Sequence, residues 1–231
     1  MFELLREEVL EANLELVRRG LVLYTFGNAS GIDREQGVVV IKPTGVPYEK
    51  MRPSDLVAID LEGTIIEGQL RPSADLPTHL ILYREFGSIG GVAHTHSRMA
   101  TAWAQAKREI PCFGTTHADY FCGTVPVTEP LSADEISSDY EVNTGHSIAR
   151  CFQRRDPEST PGVLVASHGP FTWGKTVTEA VHNSVVLEEI AQLAFYTITA
   201  NSDSEQIARA LHDKHFNRKH GSSAYYGQRK R

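Results

Sequence analysis

Two histidines stand two residues apart in His94-Thr95-His96, directly after the small apolar run Gly90-Gly-Val-Ala. In an extended segment, residues two apart project from the same face, so both imidazoles turn toward one point. A third histidine, His168, ends another apolar run, Val163-Leu-Val-Ala-Ser, and precedes an expected Gly169-Pro170 turn. Three histidines at strand ends, with a fourth position open, are the donor set of a catalytic zinc site. The chain holds ten histidines, so an isolated HxH is an ordinary chance event. The matching context of His168 is what sets these three apart. His79, His146, His182 and His212 fall within helical patterns and read as surface or core residues. After His96 come Ser97-Arg98, not the Asp-His pair of a metallo-β-lactamase-type hydrolase. The chain is also short for the eight βα units of an amidohydrolase barrel. A histidine-rich site accepts several divalent ions.

Asp119, in the polar stretch Thr115-Thr-His-Ala-Asp-Tyr120, is the candidate for proton transfer, with burial expected to raise its pKa. A turn or cap aspartate is the ordinary alternative. Three polar segments are candidate anion cradles: Phe26-Gly27-Asn28-Ala29-Ser30-Gly31, Lys42-Pro43-Thr44-Gly45, and Arg71-Pro72-Ser73-Ala74-Asp75 at the start of a predicted helix. Each is weak alone, because turns share this composition. With Lys42 among them they make a phosphate site. Asp75 can serve instead as a carboxylate near the metal.

These groups need a scaffold. The 231 residues are 41% hydrophobic and 23% charged, with a net charge of −6, the composition of a globular chain and not of a disordered one. The acidic balance argues against a nucleic-acid binder. The run Val185–Ala200 carries Glu188, Glu189 and Gln192, and no stretch reaches the ~18 apolar residues of a membrane helix. Three cysteines without a CxxC spacing make a reducing cytoplasm the expected location. The tail from Lys214 to Arg231 has six basic and no acidic residues, which reads as a solvated basic end. Its Tyr225-Tyr226 pair is unusual for such an end, since paired aromatics ordinarily pack on something.

Leu5, Val9, Ala12 and Leu16 mark one helix face, ended at Gly20. Strands are predicted at 21–24, 37–42, 91–95 and 162–166, with Gly27, Gly31 and Asp33 as the turn between the first two. A hairpin is expected across 56–66. Helices are predicted at 76–86, 97–107, 177–196 and 204–218, and the capping boxes Ser132-Ala-Asp-Glu135 and Thr176-Val-Thr-Glu179 start helices. With no repeat, no long linker and neither nucleotide-binding glycine fingerprint, the pattern reads as one α/β domain with a central sheet covered on both faces.

Taken together, the motifs resemble the L-ribulose-5-phosphate 4-epimerase family within the class II aldolase/epimerase superfamily. The resemblance covers nearly the whole chain. It rests on Gly27-Asn28, Ile41-Lys-Pro-Thr-Gly45, Pro72-Ser-Ala-Asp75 with Pro77-Thr-His79, His94-Thr-His96-Ser, Gly114-Thr-Thr-His-Ala-Asp-Tyr120, Ser167-His-Gly-Pro-Phe171, and Lys214-His215 through Ala224-Tyr-Tyr-Gly-Gln228. It implies a three-layer α/β/α sandwich with a largely antiparallel or mixed sheet, and a homotetramer with active sites between subunits. It implies Zn2+ on His94, His96 and His168, with Asp75 close by. Phosphate would be held by Gly27, Asn28, Lys42, Thr44, Gly45 and Ser73. Asp119 would be one acid/base group. Tyr226, from a tail (about 214–231) reaching a neighbouring subunit, would be the other, with His215 helping from that neighbour. Ala74 departs from the family, which commonly has a second serine there. A sugar-phosphate aldolase of the L-fuculose-phosphate type is the alternative, but it carries a glutamate base where Asp75 stands. A tail-driven nucleic-acid binder leaves the three histidines unexplained.

Overall fold

The computed structural model describes residues 2–221, 224 and 225. Seven strands form one sheet: β1 (Asn28–Asp33), β2 (Val38–Ile41), β3 (Val57–Asp60), β4 (Ile65–Glu67), β5 (Gly91–His94), β6 (Gly162–Val165) and β7 (Gly169–Gly174). Their spatial order is β4-β3-β2-β1-β5-β7-β6, and every neighbouring pair is antiparallel. Eight α-helices accompany them among the described residues: α1 (Glu3–Arg18), α2 (Leu76–Glu85), α3 (Arg98–Gln105), α4 (Thr115–Ala118), α5 (Ala133–Ser137), α6 (Tyr140–Cys151), α7 (Val177–Ala200) and α8 (Arg209–His220).

The run Val38-Val-Val-Ile41 shows why the sheet is covered twice. Val38 and Val40 pack with Val9, Leu16 and Val177 beneath α1 and α7. Val39 and Ile41 pack with Leu76, Leu80, Tyr83 and Ile148 beneath α2 and α6. A strand buried on both faces reads as a continuous apolar run, without alternation. A third cluster joins α3 to α7 through Ala100, Trp103, Leu187 and Ile190. The fold is therefore an α/β architecture with helices packed around an antiparallel sheet, as expected. Both capping boxes act as helix starts: the Ser132 and Thr176 hydroxyls accept from the Glu135 and Glu179 amides. No described helix is long and apolar enough to cross a membrane.

Three expectations are corrected. Residues 21–24 form no strand. Leu21 and Val22 are buried beneath α1 and α7, while Leu23 and Tyr24 are exposed, and Tyr24 has a left-handed φ of 52°. The supposed turn that follows, Asn28-Ala-Ser-Gly31, is instead the central strand β1. Its residues are small because α1 crosses it closely: a Cβ on Gly31 would lie 3.0 Å from Leu5 and 3.1 Å from Val9. Gly169-Pro170 likewise opens β7 instead of forming a turn.

Glycine is required where α7 begins. A Cβ on Gly91 would lie 2.3 Å from the Val177 Cα, a backbone atom that cannot swing aside. Gly91→Ala is expected to destabilise the protein by at least the 1–3 kcal/mol typical of overpacking, measured by urea unfolding. An unchanged midpoint would show that α7 can back away from β5.

Candidate metal centre and substrate cleft

His94 is the last residue of β5, and His96 follows on the same side. The sheet delivers the third ligand, because β7 lies beside β5 with Phe171 opposite His94. The β6–β7 hairpin therefore presents His168 next to His94. Ser167 makes this turn with a left-handed φ of 62°, a conformation that costs a non-glycine residue free energy and is common at functional sites. The three ring centroids are 4.7 to 5.0 Å apart. The metal-binding atoms all lie within 4.8 Å of one another. The Nε2 atoms of His94 and His96 are 3.1 Å apart, close to the ~3.3 Å that two nitrogens span on a tetrahedral zinc at about 2.0 Å each.

The rings are prepared as ligands. His94 Nδ1–H donates to the Pro170 carbonyl at 2.9 Å, which leaves the Nε2 lone pair facing inward. The His94 ring is stacked on Phe171 at 4.1 Å. His168 Nδ1 lies 3.2 Å from the Tyr140 hydroxyl. Burial, then the neighbouring His94 and His96, push the His168 pKa down to about 3. Desolvation and His94 also lower that of His96. Both rings thus stay neutral and keep lone pairs for a cation. This donor set fits a divalent metal.

Asp75 precedes α2 and lines the cleft beside these histidines without belonging to the three-residue group. Burial raises its pKa, but the neighbouring His94 and a 2.6 Å hydrogen bond from Asn28 Nδ2 are among the contributions that lower it overall.

A cleft of about 270 Å³ joins this corner to the anion candidates: Gly27, Asn28, Lys42, Thr44, Gly45, Ser73, Ala74 and Asp75 line it with His94 and His96. Two backbone hydrogen bonds, Thr44 N to Arg71 O and Ser73 N to Lys42 O, tie two of the sequence segments together. Gly27 carries the third past the end of β5. It has φ 73°, and a Cβ there would lie 2.7 Å from the His94 carbonyl. Tyr48 donates to the carbonyls of Phe26 and Gly27 and fixes the loop. Lys42 is buried, with Nζ 4.7 Å above the Tyr48 ring. Burial lowers its pKa while Asp75 opposes the shift. Its one acceptor among the described residues is the Pro43 carbonyl, so the ammonium has donors to spare for an anion. Asn28 spends its amide on Ser73 and Asp75, and its buried Oδ1 has no partner among the described residues. That oxygen is an acceptor suited to a hydroxyl donor.

Asp119 and His215 lie elsewhere, outside this cleft. Asp119 follows α4, and α8 folds back over it. Arg218 donates to both carboxylate oxygens, at 3.0 and 2.7 Å, and His215 Nδ1 lies 3.0 Å from Oδ1. Lys219 Nζ is 3.6 Å from Oδ2. The expected direction of its pKa is reversed. Burial raises it, but the bonds from Arg218 and His215 and the charge of Lys219 lower it overall. Within its own chain His215 stands apart from the phosphate candidates, and its partner is Asp119. Tyr226 lies outside the described residues.

Sequence reasoning missed Tyr140, Tyr48 and Phe171, which touch the site only through tertiary packing. It left His79 open between surface and core; the ring is buried, binds Ser30 Oγ at 2.7 Å, and burial pushes its pKa down to about 3.

Residues 7–195 match the model of the class II aldolase and adducin N-terminal domain family. Among solved structures, an L-fuculose 1-phosphate aldolase superposes with a TM-score of 0.78 at 23% identity, covering 91% of this chain and 93% of that one. YgbL of Klebsiella pneumoniae, assigned as an aldolase, epimerase or decarboxylase, gives a TM-score of 0.73 at 25% identity over 93% and 99%. The L-fuculose-1-phosphate aldolase of Thermus thermophilus gives 0.69 at 24% over 87% and 99%. The family match over most of the chain, together with three histidines gathered at the head of a shared sheet, makes this protein a member of the class II aldolase and adducin N-terminal domain family.

Proposed function

We propose that the protein is a zinc-dependent L-ribulose-5-phosphate 4-epimerase that interconverts L-ribulose 5-phosphate and D-xylulose 5-phosphate. The observation that carries this reading is the docking of α8 on Asp119 through Arg218 and His215. It places α8, the helix that precedes the epimerase-like motif Ala224-Tyr-Tyr-Gly-Gln228 in the chain, on the other epimerase-like motif, Thr116-His-Ala-Asp-Tyr120. The short carboxylate of Asp75, tied to Asn28, also favours the epimerase over an aldolase with a glutamate base.

C4 of the ketopentose is not adjacent to the C2 carbonyl, so enolisation cannot invert it. The route is cleavage of the C3–C4 bond. A base takes the C4 hydroxyl proton, the C4–O electrons form an aldehyde, and the C3–C4 pair moves onto C3–C2 and the C2 oxygen. A bound divalent metal supplies Lewis-acid stabilisation of that developing negative charge. Lys42, with Thr44, Gly45 and Ser73, anchors the phosphate, so the aldehyde fragment turns without leaving, while the Asn28 Oδ1 accepts from a substrate hydroxyl. Re-addition to its other face remakes C3–C4, and a second group on the opposite side returns a proton to the C4 oxygen. In this reading Asp119 and Tyr226 are the two proton-transfer groups. Asp119 lies outside its own chain's cleft, which supports a site completed by a neighbouring copy; in this reading the protein is a homotetramer.

Incubating zinc-loaded protein with L-ribulose 5-phosphate should give D-xylulose 5-phosphate without free glycolaldehyde phosphate. Released aldehyde as the main product would make the protein an aldolase. Neither product, with metal bound, would reject this substrate.

A further inference from the structure

We propose that Tyr140 is the positioning residue for His168, and that its hydroxyl sets the affinity of the three-histidine site for a divalent cation. This rests on the metal reading of that site and is independent of which sugar phosphate is the substrate. An imidazole that ligates through Nε2 carries its proton on Nδ1 and needs an acceptor there, which fixes both tautomer and ring orientation. For His94 the acceptor is a main-chain carbonyl, Pro170 O. For His168 the partner of Nδ1 is a side chain, the Tyr140 hydroxyl at 3.2 Å.

The need is greater at His168 than at His94. His94 ends a strand paired on both sides and is stacked on Phe171. His168 lies in a hairpin turn next to Ser167, which is already in a left-handed conformation.

The fold places Tyr140 with care. It is the first residue of α6, and α6 packs on α2, the helix that Asp75 precedes. The two helices approach so closely that a Cβ on Gly145 would lie 2.8 Å from Ile81. Thr78 Oγ1 donates to the Glu141 carbonyl at 2.6 Å and pins the first turn of α6 to α2. The hydroxyl is thus delivered to His168 by the same helix pair that delivers Asp75. Tyr140 does not line the substrate cleft, so it acts through His168.

The test is competition between the metal-free protein and a chromophoric chelator for zinc. Tyr140→Phe should bind zinc about 10- to 100-fold more weakly, the range for losing such a supporting hydrogen bond. Its metal-free melting temperature should stay unchanged. Tyr196→Phe, which removes an exposed hydroxyl on α7, should leave the affinity as it is. A Tyr140→Phe affinity within twofold of the parent would overturn the assignment. A second measurement needs no variant: 15N spectra of the zinc-loaded parent should show His168 protonated at Nδ1 and metal-bound at Nε2. The opposite tautomer would also overturn it. Undiminished zinc affinity in His96→Asn would remove the metal site itself, and this assignment with it.

Discussion

His96→Asn keeps its fold, loses its metal and loses its activity. The fold should survive because His96 is exposed, beyond the last residue of β5, and its ring contributes to none of the three core clusters. The chain beyond it is held independently. The Glu188 carboxylate on α7 accepts from the amides of Met99 and Ala100 at 2.8 and 3.0 Å, capping α3 where Ser97 makes no side-chain cap. The metal should be lost because one of three converging donors is gone. The expected fall in zinc affinity exceeds the ~100-fold upper range for losing only a supporting hydrogen bond. A Lewis acid contributes several kcal/mol to charge stabilisation in the transition state, so turnover should fall by about 10³-fold or more. Zinc content after dialysis, circular dichroism and turnover of the sugar phosphate check the three parts separately. Turnover that persists in the parent protein after complete metal stripping would sink the metal mechanism.

Asp119→Asn should lower turnover by the 10²- to 10⁴-fold typical of losing a general acid–base group, with little change in the KM for the sugar phosphate. Asparagine preserves the shape and one oxygen for Arg218 and His215 but cannot exchange a proton. The environment of Asp119 adds a pH prediction. The charged and titratable groups on it are Arg218, His215 and Lys219 from α8, with His220 Nε2 on its main-chain carbonyl. They hold its pKa below the ordinary carboxylate value, so the carboxylate persists into acid and the acid limb of the rate profile lies low. Arg218→Gln removes the largest lowering contribution, and the acid limb should move to higher pH. The same sign applies to stability. A depressed pKa contributes above the unfolded-state value and is lost as pH falls through the folded one, so α8 should loosen from α4 in acid. A turnover in Asp119→Asn within a few-fold of the parent would take Asp119 out of the chemistry. An acid limb unmoved by Arg218→Gln would show that another group sets it.

The corrected features share a cause. Asn28-Ala-Ser-Gly31 has the composition of a turn, yet it is the centre of the sheet, because a strand pressed between helices on both sides has room only for small side chains. Crowding of that kind comes from residues far away in sequence. Asp119 was expected to have a raised pKa from burial, and burial does act in that direction. Arg218, 99 positions along the chain, reverses the sign.

What this chain determined by itself was local. His94 and His96 face one way because a strand has a period of two. The apolar runs were buried, and the two S/T-x-x-E boxes started helices, because cap hydrogen bonds span three residues. Tertiary structure alone decided what depends on long-range approach. It brought His168 beside His94 through the β5–β7 pairing, and tied the Lys42 and Ser73 segments into one cleft. It set Tyr140 against His168 and turned α8 back onto Asp119. Hydrogen bonds and charges act over a few ångströms of space, and the number of residues between partners leaves no trace of that distance in the sequence.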